Sequence, residues 1–326
     1  MKVLRHATLA FVLAGCAPAV QPAAMPSPAT TTTTATAPPA KPKAIDPNAV
    51  ASATGGKPEA ADGTVKVSFP RVDVPIQVDG WPMPAFMGLT SWAAFTPGEK
   101  PGVEAMVMGD LVAVEDEVSP MMSALLDGGV EVTALHNHFF YDKPKVYFMH
   151  IGGEGTVDRL GKGVRAALDA QKAVRQKSPQ PSDHTMNVPV PVPSKIDGTK
   201  LDVVFGVKGT AKDGMYKATM GRKATASCGC SVGKAMVVST WAAFAGTDEN
   251  AVVDGDFAVT EGELQPVLKS LRASGIDVVA IHHHMTGEAP RILFLHYWGR
   301  GAAGALAASV KMALDLTAWD GGAAPK

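Results

Sequence analysis

The 326-residue chain is long enough for two ordinary domains, and 46% hydrophobic against 19% charged residues is the balance of a protein that buries a core. A formal net charge of −1, with no run of Lys and Arg, excludes a nucleic-acid binder, whose affinity rests on clustered cations.

Lys2 and Arg5, followed by the apolar stretch Leu9 to Leu13, form an opening too short to cross a bilayer; residues 1–15 read as a secretory signal. It ends Leu13-Ala14-Gly15-Cys16, which resembles the bacterial lipobox. The expectation is a lipidated Cys16 that anchors the protein in the cell envelope, at the outer membrane facing the periplasm if the source is a diderm bacterium. The competing reading is an ordinary cleaved signal with a chance cysteine. Residues 16–44 carry Pro18, Pro22, Pro26, Pro28, Thr30 to Thr34 and Pro38-Pro39, and have too few large apolar groups to pack, so they read as an extended tether.

The remainder is an internal duplication. Asp46 corresponds to Asp197, Gly55 to Gly206, Arg71 to Arg222, Trp92-Ala-Ala-Phe95 to Trp241-Ala-Ala-Phe244, Gly109-Asp110 to Gly255-Asp256, and Glu115-x-Glu117 to Glu261-x-Glu263. Repeat 1 spans residues 45–175 and repeat 2 spans 196–320, joined by a proline-rich connector over 176–195 and followed by a tail, 321–326. Each repeat shows strand-like alternation over Thr64 to Phe69 (Met215 to Met220), Met87 to Phe95 (Ala235 to Phe244) and Ala105 to Val114 (Ala251 to Thr260). Helical spacing follows over Val118 to Leu126 (Leu264 to Leu271), then a hairpin, then an Ala-rich amphipathic helix over Leu160 to Ala170 (Leu306 to Leu316). The predicted fold class is α+β: two tandem homologous repeats, each a mostly antiparallel sheet with two main helices, packed about a pseudo-twofold.

Six of the nine histidines form the pattern repeated in the duplicated hairpin, which reads His-x-His, eleven residues, His. His136, His138 and His150 form the first copy; His282, His284 and His296 form the second. Alternate strand residues share a face, so His136 joins His138 and His282 joins His284. A turn centred on Lys143 puts His136 across from His150, and one centred on Ala289 puts His282 across from His296. Three neutral imidazoles on one face make a divalent-metal site with a position left open for chemistry. Zn²⁺ leads, and Mn, Fe or Cu suit the same ligands. The spacing is similar to that of the α-type carbonic anhydrases. The competing reading is that the histidines only pack and hydrogen-bond.

Glu117 and Glu263, with Glu115 and Glu261, stand just before the first helix and offer a general base; they also suit a helix N-terminus electrostatically. Asp142 and Glu288 read as solvated turn residues, His283 as outward-facing, and His184 as a loop histidine. Cys228-Gly-Cys230 is either a disulfide or a soft-metal clasp, and most of the 15 methionines fall on packing positions.

The strings Thr133-Ala-Leu-His-Asn-His138, Phe148-Met-His150, Gly255-Asp-Phe257, Ala280-Ile-His-His-His284 and Pro290-Arg-Ile-Leu-Phe-Leu-His296 together resemble the LppY/LpqO family of secreted or lipid-anchored bacterial proteins. The resemblance implies an envelope location and a duplicated domain of unknown function, and brings no reaction. Three functional readings follow. The first is a lipid-anchored metalloprotein of hydrolase or lyase type, with Glu117 and Glu263 as proton carriers. The second is a non-catalytic envelope module that holds a metal or small ligand, and the third is a structural lipoprotein.

Overall fold

The structure is a computed structural model that describes residues 43–181 and 189–322. The signal, Cys16, most of the tether, His184 and residues 323–326 lie outside the described residues.

Repeat 1 opens with a short helix, α1 (Pro47–Thr54), that the strand and helix periodicities did not anticipate. Its local signals are nonetheless in the sequence. The Asp46 carboxylate accepts the Asn48 N–H at 2.9 Å, Pro47 occupies the first turn, and Gly55 ends the helix at φ 74°. In repeat 2, Asp197 and Gly206 bound α4 (Gly198–Phe205) in the same way.

The strands are β1 (Pro58–Ala61), β2 (Thr64–Pro70), β3 (Thr90–Pro97), β4 (Ala105–Val114), β5 (Glu131–His136) and β6 (Val146–Gly155) in repeat 1. Repeat 2 has β7 (Thr210–Lys212), β8 (Met215–Gly221), β9 (Ser239–Gly246), β10 (Ala251–Val259), β11 (Asp277–His282) and β12 (Leu293–Gly301). Helices α2 (Glu115–Asp127) and α3 (Val157–Lys177) match α5 (Glu261–Ala273) and α6 (Ala303–Leu314). These twelve strands form one antiparallel sheet in the order β1-β2-β3-β4-β6-β5-β11-β12-β10-β9-β8-β7, and short two-residue strands in the loops make two small sheets beside it. The order of equivalent strands is therefore the same from either edge, and the repeats join edge to edge. In each repeat the strands before and after the first long helix flank the hairpin's second strand, a split β-α-β unit.

The helices cover one face of this sheet, where Val107, Leu111, Leu135, Met149 and Ile151 of repeat 1 share a single buried core with Val253, Phe257, Ile281, Leu295 and Tyr297 of repeat 2. Side chains alternate, so Asp110, Phe148 and His150 point to the other face. Two excursions, residues 71–89 and 222–238, cross to that face and build a small cluster each. In repeat 1 it includes Val74, Ile76, Leu89, Val112 and Phe148; in repeat 2, Ala224, Val232, Val238, Ile292 and Phe294.

The seam between repeats is short: Leu135 opposes Ile281 as its paired residue. Around it, side chains replace ladder bonds. The Gln265 carboxamide on α5 accepts the Val132 N–H at 3.1 Å and donates to the Val132 carbonyl at 2.8 Å. Ser119 donates to Asp277 at 2.6 Å, and Arg272 to Ser123 at 3.2 Å. Gln265→Ala leaves both Val132 groups without these partners at the joint. It is expected to lower stability by about 1–3 kcal/mol in urea denaturation, and a change within error would show that the seam does not depend on this contact.

Candidate metal centre

The strand β5 carries a bulge between Val132 and Ala134, and β11 has one between Val278 and Ala280. The register beyond them differs from the expected one by two residues. His136 opposes Phe148, and Ala134 opposes His150; in repeat 2, His282 opposes Phe294, and Ala280 opposes His296. A shift of two keeps every side chain on its face, whereas a shift of one would have inverted them. The imidazoles therefore meet diagonally. The His136 ring stacks on His150 at 5.1 Å and lies 5.1 Å from His138; the corresponding distances around His282 are 4.9 Å to His296 and 5.1 Å to His284.

Each ring is held by its surroundings. His138 stacks flat on Phe148 at 3.4 Å and His284 on Phe294 at 3.5 Å, so the small cluster beneath fixes their planes. His150 Nδ1 lies 3.3 Å from the Gly109 carbonyl, and His296 Nδ1 lies 3.2 Å from that of Gly255. A carbonyl only accepts, so in these contacts Nδ1 carries the proton and Nε2 keeps its lone pair. That is the usual support for a metal-ligating histidine.

The acid facing the rings is an aspartate. Asp110 opposes His150 across β4 and β6, and Asp256 opposes His296 across β10 and β12. Asp256 is 2% exposed and its Oδ2 lies 3.5 Å from His284 Nε2. Donor atoms of Asp256, His282 and His284 all fall within 4.8 Å of one another, a group that could hold a metal ion. In repeat 1, His136 Nε2 and His138 Nε2 are 3.2 Å apart, close to the separation of two donors on a tetrahedral ion. Asp110 Oδ1, Asp256 Oδ1 and His282 Nδ1 are buried without a hydrogen-bond partner. An ion or an ordered water would satisfy atoms of this kind. His296 is not part of the close donor group; it backs His282 through ring stacking.

Burial pushes the Asp256 carboxyl up to about 6, against the opposing pull of His296. Burial, with His296 and His284 alongside, pushes His282 down to about 4, and burial also lowers His136, His138 and His284. At neutral pH these rings are uncharged and able to donate a lone pair to a cation. The structure sets the two clusters side by side. Leu135 and Ile281 meet at the seam and both point into the helical core, so His136 and His282 next to them face the same open side. A groove of about 660 Å³ on that face, lined by Trp298, Lys217, Thr219 and Asp254 among others, begins two residues along β12 from His296.

Glu117 and Glu263 are not brought to the histidines. Glu117 is fully buried on the helical side, where Arg71 donates to both its oxygens at 2.6 Å, Gln171 at 3.1 Å, and the Val114 N–H at 3.0 Å. Arg175 pairs with it at 2.8 Å. Glu263 repeats the scheme with Arg222 and the N–H groups of Thr260 and Ala318. These glutamates pin the start of each excursion and the first turn of each helix. Acids before a helix suit both an electrostatic and a general-base role, so their position in the sequence does not separate the two. Asp110 and Asp256 stand in a matched Gly-Asp string, and a duplicated carboxylate in mid-strand is the sequence signal that marks them.

Asp142 and Glu288 are nearly buried rather than solvated, and accept the N–H groups of Val146 and Ile292 to close the hairpin loops. His283 is exposed, and Cys228 and Cys230 are joined to each other, so neither thiol is free to clasp a metal.

One family model matches the chain twice, over residues 48–170 and 199–316. The chain belongs to the family described as Domain of Unknown Function (DUF1259). The double match covers both repeats and so fits a duplicated, uncharacterised domain. The search of curated proteins gives no match. Among solved structures, the trimeric bacterial microcompartment shell protein PduB aligns with 78% of this chain and 87% of its own, at 14% identity. Its TM-score of 0.17 is too low to carry an argument.

The Glu263 anchor makes a pH prediction. Burial would raise its carboxyl, but the Arg222 bond and two backbone N–H groups outweigh burial and hold it below the ordinary value of 4.5. A lowered folded value contributes stability that is complete above the unfolded value and is lost as pH falls through the folded one. The stability gap between wild type and Glu263→Gln is expected to be level from about pH 7 to 5 and to shrink below about pH 4. A gap that widens on acidification would contradict this reading.

Proposed function

We propose that the protein binds divalent metal at two equivalent centres, one per repeat, each formed from the His-x-His pair, the following histidine and the facing aspartate. The observation that carries this is the repetition. Two copies that have diverged elsewhere both direct a buried carboxylate and three imidazoles to one face, with polar atoms left unpaired there. A structural role for the rings would not need a carboxylate buried among them, because such a group costs energy unless something compensates it. Zn²⁺ suits this nitrogen and oxygen set best, and Mn, Fe or Cu are the alternatives.

A bound ion of this type supplies Lewis acidity and lowers the pKa of water. The chain's own part is to keep His136, His138, His282 and His284 neutral, to fix the planes of His138 and His284 on Phe148 and Phe294, and to leave those two rings at the solvent-facing rim. On this reading the protein is a hydrolase or lyase acting on an envelope component, and the groove beside Trp298 receives a small ligand. The second reading is a non-catalytic metal-holding module, favoured by the absence of a free acid or base beyond the aspartates among the described residues at the site. We further propose the LppY/LpqO affiliation, a lipid anchor at Cys16 with envelope location, and a pseudo-twofold axis through the Leu135–Ile281 pair.

Protein purified without a nickel column, stripped by chelator and re-offered Zn²⁺, Mn²⁺, Fe²⁺ or Cu²⁺, is expected to take up about two ions per chain. Asp256→Asn combined with His282→Ala is expected to reduce this to about one, with an unchanged circular dichroism spectrum. Wild-type uptake below about 0.2 per chain for every ion would sink the proposal. Loaded protein that turns over no ester, phosphate or glycan substrate would favour the holding module over the enzyme.

A further inference from the structure

The two repeats share one backbone plan around their histidines, and both turns expose apolar side chains, Met87 in one and Met236 and Val237 in the other, but the loops differ in their aromatic rings. In repeat 1, Trp81, Phe86, Phe140 and Tyr141 are 53%, 97%, 85% and 79% exposed. The corresponding residues in repeat 2 are Cys230, Ala235, Thr286 and Gly287. The loops that carry them are otherwise alike. A 3-10 turn spans Ala85–Met87 in one and Lys234–Met236 in the other, and Gly80 and Gly229 both have φ 77°. The fold therefore does not require the aromatic rings, because repeat 2 builds the same loops without them.

Tyr141 makes the point most clearly. It has φ 61°, in the left-handed region that a tyrosine adopts at a cost, and its repeat 2 counterpart is Gly287 at φ 77°. Repeat 1 keeps a bulky ring in a backbone position that suits glycine.

These rings belong to three neighbouring loops. Val78 pairs with Asp142, the Asp79 N–H donates to the Tyr141 carbonyl at 3.3 Å, and Phe139 lies beside Gly88 at the end of the 3-10 turn. Lys143 and Lys145, both exposed, stand in the same loop and form no ion pair among the described residues. Asp142 between them is turned inward onto the Val146 N–H, and Arg71 is neutralised by Asp73 and Glu117, so Asp79 is the exposed acid that remains unpaired in these loops.

We infer that these loop tips of repeat 1 form a membrane-docking surface that inserts aromatic side chains into the interface of an anionic phospholipid bilayer. Side chains this exposed stand clear of the surface instead of lining a groove, as insertion between headgroups requires. Trp and Tyr rings prefer the interface, where one part of the ring meets hydrocarbon and the other meets water. The two lysines add attraction to anionic headgroups. The consequence is orientation: the repeat 1 centre, whose His138 is two residues from Phe140, would lie closer to the bilayer than the repeat 2 centre. The inference stands on the loops, and holds whether or not Cys16 is lipidated or either centre binds metal.

The test uses the full chain carrying Cys16→Ser, so that no lipid anchor contributes. Its partition onto vesicles of phosphatidylcholine and phosphatidylglycerol is compared with that of the same chain bearing Trp81→Ser, Phe86→Ala and Phe140→Thr. All three positions are exposed, so the variant is expected to fold normally. Partition is expected to fall at least tenfold. Lipids brominated near the headgroup are expected to quench fluorescence in the parent chain, and Trp81→Phe should remove that quenching. Equal partition by the two chains, or quenching that survives Trp81→Phe, would overturn the inference. Self-association that is lost in the triple variant, without vesicle binding by the parent, would also overturn it and assign the surface to a second copy.

Discussion

A carboxylate in the middle of a sheet strand, shielded from water, must find compensation or give up its charge. Asp256 is almost fully buried, and its repeat 1 counterpart Asp110 is nearly so. Among the described residues neither pairs with an Arg or Lys, in contrast to Glu117 and Glu263 on the other face, where Arg71 and Arg222 answer the charge directly. What surrounds the aspartates instead is a set of imidazoles, of which His136, His138, His282 and His284 are held neutral by burial. Neutral rings and an under-compensated carboxylate are complementary to a cation, and the rest of the site follows from that. The bulges set the diagonal meeting of the rings, the Gly109 and Gly255 carbonyls orient the second-strand histidines, and the Phe148 and Phe294 faces hold the outer ones.

The duplication separates what the fold needs from what function adds. Both copies keep the helix-capping aspartates, the Arg–Glu anchors and the histidine–aspartate clusters. The first two have evident structural work: they start helices and fix the excursions that cross to the open face. The third sits on a sheet face that would fold as well with apolar or small residues, and its retention in both copies argues for a ligand. The aromatic loop tips behave in the opposite way, present in one copy and replaced by small residues in the other. That pattern suits a surface that needs to exist once per molecule.

Much of this was legible in the sequence because alternation and repetition are both local signals. Most strand and helix positions followed from period 2 and period 3.6 spacing, and β4 matched its expected span of Ala105 to Val114, whereas the strands expected from Met87 and Ala235 begin only at Thr90 and Ser239, after 3-10 turns. That the histidines share a face also followed from spacing, and survived a register that differed by two. What stayed hidden depends on tertiary contacts. The bulges at Val132 and Val278 could not be read from turn length. Glu117 and Asp110 are both acids in a matched string, and only the sheet's two faces decide that one meets arginine and the other meets histidine. The edge-to-edge joining at Leu135 and Ile281 likewise left no mark in composition. The short helices α1 and α4 were readable through their caps, Asp46 with Gly55 and Asp197 with Gly206, but are too short for periodicity to reveal.

The most direct measurement of the central claim is anomalous diffraction at the zinc edge from crystals of stripped and reloaded protein. One peak per repeat is expected on the open sheet face. In repeat 2 it should lie about 2.0–2.2 Å from imidazole nitrogens of His282 and His284 and from an Asp256 carboxylate oxygen. Crystals with no peak on that face, or with density only at surface residues away from both clusters, would contradict the account.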